Sequence, residues 1–324
     1  MQPSFDLDEL LEHIPEMDFS VHTPLSPALQ PYSRYYGLNF EDQYPHINHS
    51  LGFFQVLGGK VVAHTYVQAG SKGTVFLFHG YYDHSGLYTH LIEHMLQLGF
   101  NVVIYDLPGH GLSTGPRAAI DDFDDYLESL NICLQLSTGH LAYPWHGIAQ
   151  STGAAILMDF VLSLKENKLD NPFDKTILLA PLFHPLNWKK NRIIYYISRL
   201  FTRMVKREFT SNSHDESFTN FVRHRDPMQS THLKVAWVGA LNNWITKMEN
   251  HPSSPYSTSV IQGTDDGTVD AETNIAFIKE KFYQPDIHYI QNAKHHLVNE
   301  AESYRLDVFE IIRKQLLGDE QTRA

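Results

Sequence analysis

From residue 74 onward the chain alternates short apolar runs with amphipathic stretches, and no other feature narrows its fold as much. "TVFLFHG" reads as a buried strand, "LYTHLIEHMLQLG" as a helix stopped by Gly99, and "NVVIYDLPGHG" as a strand with its loop. "DDFDDYLESLNICLQL" follows as a helix, "YPWHGIAQ" as a strand, "TGAAILMDFVLSL" as a helix and "KTILLAP" as a strand. Such continuous apolar strands leave no face for water, so the pattern predicts an α/β fold with a mostly parallel sheet and helices on both faces. The alternation breaks at Pro181 and resumes with "PYSTSVIQG", "DAETNIAFIKEKF", "DIHYI" and "VNEAESYRLDVFEIIRKQLL". The economical division is one core in two parts, 51–180 and 251–324, interrupted over 181–250 by an inserted helical cap that is aromatic-rich and locally basic. Residues 1–50 carry scattered prolines and one short helical stretch, Asp6 to His13, and read as an extension draped on the core. After them "GFFQV" and "VVAHTYV" should pair as a hairpin around Gly58-Gly59.

Composition removes several function classes. A net charge of −12 argues against nucleic acid as a partner, because phosphate binding needs a surplus of Lys and Arg on some face. No apolar run reaches the roughly 18 residues of a membrane span. Acids but no Lys or Arg precede Arg34, the reverse of a secretion signal, so a cytoplasmic location is expected. The single cysteine, Cys133, falls in a helical pattern and reads as a small buried hydrophobe.

In sheets of this kind ligands sit beyond the carboxyl ends of the strands, and that is where the chemically interesting residues fall. Ser151 directly follows one strand end in Ala149-Gln150-Ser151-Thr152-Gly153, which matches the G-x-S-x-G strand-to-helix elbow except for alanine at the first glycine. Small residues after it, Thr152-Gly153-Ala154-Ala155, let a helix pack close to the sheet while the serine stands exposed. Another strand end, after "SVIQG", supplies Asp265, Asp266 and Asp270, the last suited to cap the next helix. A third, after "DIHYI", supplies His295 and His296, of which only one ring can face a given serine. A fourth, "FLFHGYYDHSGLY", offers a backbone N–H after His79-Gly80, so Tyr81 and Thr152 are the expected oxyanion donors by their main-chain amides.

These segments together resemble a family. "FHGYYDHSGLY", "YDLPGHGLSTG", "AQSTG", "QGTDDGTVD" and "NAKHHLVNE" look like the lysophospholipase and monoacylglycerol lipase branch of the serine α/β-hydrolases, and the resemblance spans residues 51 to 316. It implies Ser151 as nucleophile, Asp266 as the acid three residues after Gly263, and His295 as the base, in the chain order Ser, Asp, His. It further implies hydrolysis of the ester of a single-chain acyl lipid through an acyl-enzyme, with no cofactor and no metal. Small-ester, peptidase or acyl-transfer chemistry on the same groups is the alternative within the fold, and a silent ligand-binding scaffold the alternative outside it.

Two motifs point elsewhere and are declined. His90 and His94 match an H-x-x-E-H zinc pattern, yet the helix carrying them covers the sheet away from the strand ends and no third ligand is near in sequence. "DLPGHGLS" lacks the Gly-Lys-Ser/Thr ending of a phosphate loop and reads as structure beside the site. Within the cap, "NRIIYYISRLFTRMVKR" predicts one amphipathic helix over 191–207. It would collect Ile193, Ile197, Leu200, Phe201 and Met204 on one side and Arg192, Arg199, Arg203 and Lys206 on the other. That helix is the expected place for any peripheral contact with a membrane.

Overall fold

The computed structural model describes residues 5–318, so residues 1–4 of the extension and 319–324 of the closing core part lie outside it. Eight strands form one sheet: β1 (Ile47–Val56), β2 (Gly59–Gln68), β3 (Thr74–Phe78), β4 (Asn101–Tyr105), β5 (Trp145–Gln150), β6 (Phe173–Leu179), β9 (Ser259–Gly263) and β10 (Asp286–Ile290). Two three-residue strands, β7 (Met204–Lys206) and β8 (His232–Lys234), pair in a separate ribbon. The helices are α1 (Leu7–Glu12), α2 (Gln30–Tyr36), α3 (Thr89–Gln97), α4 (Asp124–Ser137), α5 (Thr152–Asn167), α6 (Trp188–Ser198), α7 (Glu216–His224), α8 (Val235–Glu249), α9 (Ala271–Lys281) and α10 (Glu302–Leu317).

Sheet order is β1-β2-β4-β3-β5-β6-β9-β10, with β2 antiparallel to both its neighbours and every later pair parallel. The hairpin closes at Val56↔Gly59, so its turn residues are Leu57-Gly58. Because β3 lies between β4 and β5, the chain leaves β3 to one side and returns on the other. This opens a crevice beyond the carboxyl ends of β3 and β5, where such sheets bind ligands. Period-two alternation divides the core: Phe76 and Phe78 face a cluster with Tyr126, Leu157 and Trp244, while Val75 and Leu77 face one with Leu91, Val308 and Tyr32.

The amino-terminal segment packs on both clusters, contributing Leu10, Ile14, Leu29, Tyr32 and Tyr36 to the second and Met17 and Phe19 to the first. It also covers the sheet edge: Met17 N–H donates to the Phe53 carbonyl at 2.7 Å and Phe53 N–H to the Pro15 carbonyl at 2.8 Å. Those bonds occupy groups of β1 that would otherwise template another chain. Helix α2 was not expected from the sequence. Its seven residues are too few to be stable alone, and ring contacts among Phe5, Tyr32 and Tyr36 hold it instead.

The predicted helix over 191–207 is corrected. Helix α6 ends at Ser198, Leu200 and Phe201 close 3₁₀-type bonds to Ile197 and Ser198, and Met204–Lys206 pair with β8. The Thr202 hydroxyl, bonded to the Met204 carbonyl at 2.7 Å, turns the chain out of the helix and the ribbon partner takes its backbone groups. Along α6 and the turn after it the apolar residues lie open to solvent, Ile193, Ile197, Leu200 and Phe201 being 62%, 58%, 72% and 82% exposed. The closing helix starts later than its apolar pattern suggests, at Glu302, because Leu297–Asn299 make a 3₁₀ turn.

Candidate active site

Ser151 occupies the turn between β5 and α5 with φ 54° and ψ −112°, a region costly for a residue with a Cβ. The turn is held from both sides: Ser151 N–H donates to the Leu179 carbonyl and Leu182 N–H to the Ser151 carbonyl. Of the two glycines in the elbow pattern, only the second is forced by packing. A Cβ at Gly153 would run into the Phe78 and His79 carbonyls, whereas the methyl of Ala149 sits buried in the core without displacing the elbow. The substituted first glycine therefore leaves the turn intact.

The ends of β9 and β10 are laced together beside it. Thr264 N–H donates to the Ile290 carbonyl, Asp265 N–H to Ala293, and Asn292 N–H to the Thr264 hydroxyl. A Cβ at Gly263 would strike the Ala293 and Lys294 carbonyls, so the loop carrying His295 presses directly on the strand end carrying Asp266. The result is a chain of hydrogen bonds: Ser151 Oγ lies 2.9 Å from His295 Nε2, and His295 Nδ1 lies 2.8 Å from Asp266 Oδ2. Asp266 also accepts from Gln262 Nε2 and from the Thr268 and Val269 amides. Burial alone would raise its carboxyl, but the His295 ring and these donors outweigh burial and hold it below the usual carboxylate range. Asp265 remains outside the chain, and Asp270 caps α9 by accepting from the Thr273 amide.

The loop after β3 completes the site. His79 Nε2 accepts from the Leu107 amide, which leaves Nδ1–H to donate to the Gly80 carbonyl. Burial keeps this ring's pKa low, in keeping with that neutral tautomer. The Tyr81 ring stacks on Trp237 at 3.8 Å and its hydroxyl donates to the Ala118 carbonyl, so the loop cannot drift. Thr152 opens α5, where the first amides have no intrahelical acceptor. The loop "DLPGHGLS" is a brace: the Asp106 carboxylate accepts from the Ser85 amide, the Ser85 hydroxyl and the Leu112 amide.

Three features escaped the sequence reading. His296 does not compete for Ser151 but turns to Asp83, at 3.1 Å, whose carboxyl burial would raise and His296 draws down. His84 pairs with Asp226 at 2.9 Å with both side chains fully buried, and Tyr36 donates to the same carboxylate at 2.7 Å. Asp83 and His84 stand in "FHGYYDHSGLY", where only the backbone had drawn attention; nothing local links them to residues 226 or 296. Arg207, in the ribbon region, borders the same cavity as Ser151. His90 and His94 stay apart from all this, His94 stacking on Phe309 at 4.8 Å, and no group of metal-ligating side chains forms among the described residues.

The cavity over Ser151 has a volume of about 480 Å³ and is walled on its apolar side by Leu182, Trp188, Ile194, Val205, Trp237 and Leu241. Its other wall carries Gly80, Tyr81, Thr152 and His295. Fold and site together define a serine hydrolase of the α/β-hydrolase class. The model of the serine aminopeptidase S33 family matches residues 69–302, and the chain belongs to that family. Among its relatives is a monoglyceride lipase homolog of Monkeypox virus, 27% identical over an alignment of 253 residues that covers 74% of this chain and 88% of the viral one. A soluble variant of monoglyceride lipase from Saccharomyces cerevisiae, solved with a substrate analog, superposes with a TM-score of 0.70 at 18% identity, covering 83% of this chain and 94% of that one. The monoacylglycerol lipase of Paleococcus ferrophilus gives a TM-score of 0.66 at 16% identity over 79% and 98% of the respective chains. At these identities the structural likeness is one of fold.

Proposed function

We propose that this hydrolase cleaves the ester of a single-chain acyl lipid with Ser151 as nucleophile, His295 as base and Asp266 as the acid that orients the ring. Ser151 O–H donates to His295 Nε2 and gives up its proton as Oγ attacks the ester carbonyl. The His295 Nδ1–H bond to Asp266 holds the imidazolium that forms. The Tyr81 and Thr152 amides receive the oxyanion, each donor worth about 3–4 kcal/mol in such sites. The alcohol leaves with the proton from Nε2, and water, activated by the same ring, releases the acid. Residues 181–250 act as a cap over the cavity.

The observation that carries the lipid reading is the exposed apolar surface of α6 and the turn after it. Ile193, Ile197, Leu200 and Phe201 are all more than half exposed beside Arg192, Arg199 and Arg203. Soluble proteins rarely leave such a patch uncovered, and apolar tips ringed by cations suit the headgroup region of a bilayer. No described helix is long and apolar enough to cross a membrane, so contact would be peripheral. A fluorophosphonate probe should label the wild type and not Ser151→Ala, with Ser151→Ala losing roughly 10⁴-fold or more in turnover of a long-chain monoacyl ester. Labelling that persists in the variant, or turnover of an aminoacyl amide in preference to the lipid ester, overturns the reading.

A further inference from the structure

Arg207 is a half-buried cation with no acid of its own. Its guanidinium lies 3.8 Å from the Tyr82 ring centroid and 4.3 Å from that of Phe209, clamped by the two rings. One amino group, Nη1, donates to Gln229 Oε1 at 2.7 Å and to the Ser230 carbonyl at 3.3 Å. Gln229 is itself fixed, because its amide N–H groups donate to Asp226 and to the Tyr82 carbonyl. Among the described residues no carboxylate comes within ion-pair distance of Arg207. The acids in its field, Asp83 and Asp226, are already engaged by His296 and His84. Glu208 also borders the cavity, exposed to solvent, and Lys206 adds a second cation to the wall.

Holding a partly desolvated guanidinium without a counter-ion is costly, so its remaining N–H groups need an acceptor from elsewhere. Their planar fork matches the oxygens of a phosphate. Position agrees with that chemistry: Tyr82, on which Arg207 stacks, follows Tyr81, whose amide is proposed above to receive the oxyanion, and both line the cavity with Ser151. In a monoacyl glycerophosphate only the glycerol spacer separates ester from phosphate. We infer that Arg207 is a specificity residue that binds the phosphate of a single-chain glycerophospholipid while its ester lies at Ser151. The assignment rests on the acyl-lipid reading above and narrows it to a headgroup.

The test uses two non-hydrolysable ethers, decyl glycerol 3-phosphate and decylglycerol, as inhibitors of p-nitrophenyl butyrate hydrolysis below their micelle concentrations. In the wild type the phosphate-bearing ether should inhibit at least about tenfold more tightly than the neutral one. Arg207→Gln should erase that ratio and Arg207→Lys restore part of it, since a point charge lacks the fork. The ratio is taken within each variant, so a general loss of activity cancels. Equal inhibition by both ethers in the wild type, no inhibition by either, or a ratio that survives Arg207→Gln overturns the inference. Glycerol 3-phosphate inhibiting as tightly as its decyl ether would mark a site for free phosphate and overturn it too. A phosphate preference lost in Arg207→Gln, in a protein that turns over no long-chain ester, would instead defeat the acyl-lipid reading and leave the anion site standing.

Discussion

Helices α5 and α6 both carry an apolar stretch, continuous in α5 and broken by Lys and Arg in α6, and meet opposite surroundings. In α5, Ala154 to Met158 are each exposed by 1% or less, because β3 and β5 lie beneath and α4 and α8 beside them. In α6 Ile193 and Ile197 point to solvent while Ile194 borders the cavity, and the helix is held from within by Trp188 and by Tyr195 against Gly239. An apolar stripe therefore announces that something will cover it, and only its neighbours say whether that is protein. The region that builds the elbow is packed by the chain itself; the region over the cavity keeps its apolar side for another phase.

The largest way to break this contrast is by cavity creation. Leu157→Ala should destabilise the fold by about 2–5 kcal/mol in urea unfolding, whereas Ile197→Ala should stay within about 0.5 kcal/mol. A cost for Ile197→Ala near that of Leu157→Ala would mean that α6 is covered in solution. A smaller effect, confined to the lipid surface, sharpens the contrast. Burying a large apolar side chain contributes about 1.5–3 kcal/mol, so Ile197→Asp with Phe201→Asp should weaken partitioning onto anionic vesicles by at least about tenfold. Turnover of a soluble short-chain ester should persist in that variant, and unchanged vesicle sedimentation would refute the docking role of α6.

The smallest effect concerns the point where the cap region is fixed as firmly as the core, the His84–Asp226 pair. Burial opposes charge on both, yet Asp226 outweighs it and raises His84 above the usual imidazole value, while His84 brings Asp226 to about 2. A raised histidine contributes stability that is complete below its unfolded value of about 6.5 and is lost as pH rises through the folded value. The Asp226 share is lost only as pH falls toward about 2. The stability gap between wild type and Asp226→Asn should thus be wider at about pH 5 than at about pH 9. Chemical denaturation at the two pH values measures it; a flat gap would show that the pair is a neutral hydrogen bond.

The amino-acid order by itself determined the alternation of strands and helices, the strand ends at which Ser151, the Asp265-Asp266 pair and the His295-His296 pair fall, and the cap of α9 at Asp270. Those are local matters, settled by periodicity, glycines and caps within a few residues. It left the choice within each pair to a family resemblance, because adjacent residues in a loop differ only in the direction of the turn. Bonds between the β9 and β10 loops set that direction here. Only the tertiary structure ended α6 at Ser198, turned its apolar side outward, gave His296 to Asp83 and left Arg207 without an acid. The reason is range: His84 and Asp226 meet across 142 residues of chain, and neither burial nor a charge partner at that separation is written in any local pattern.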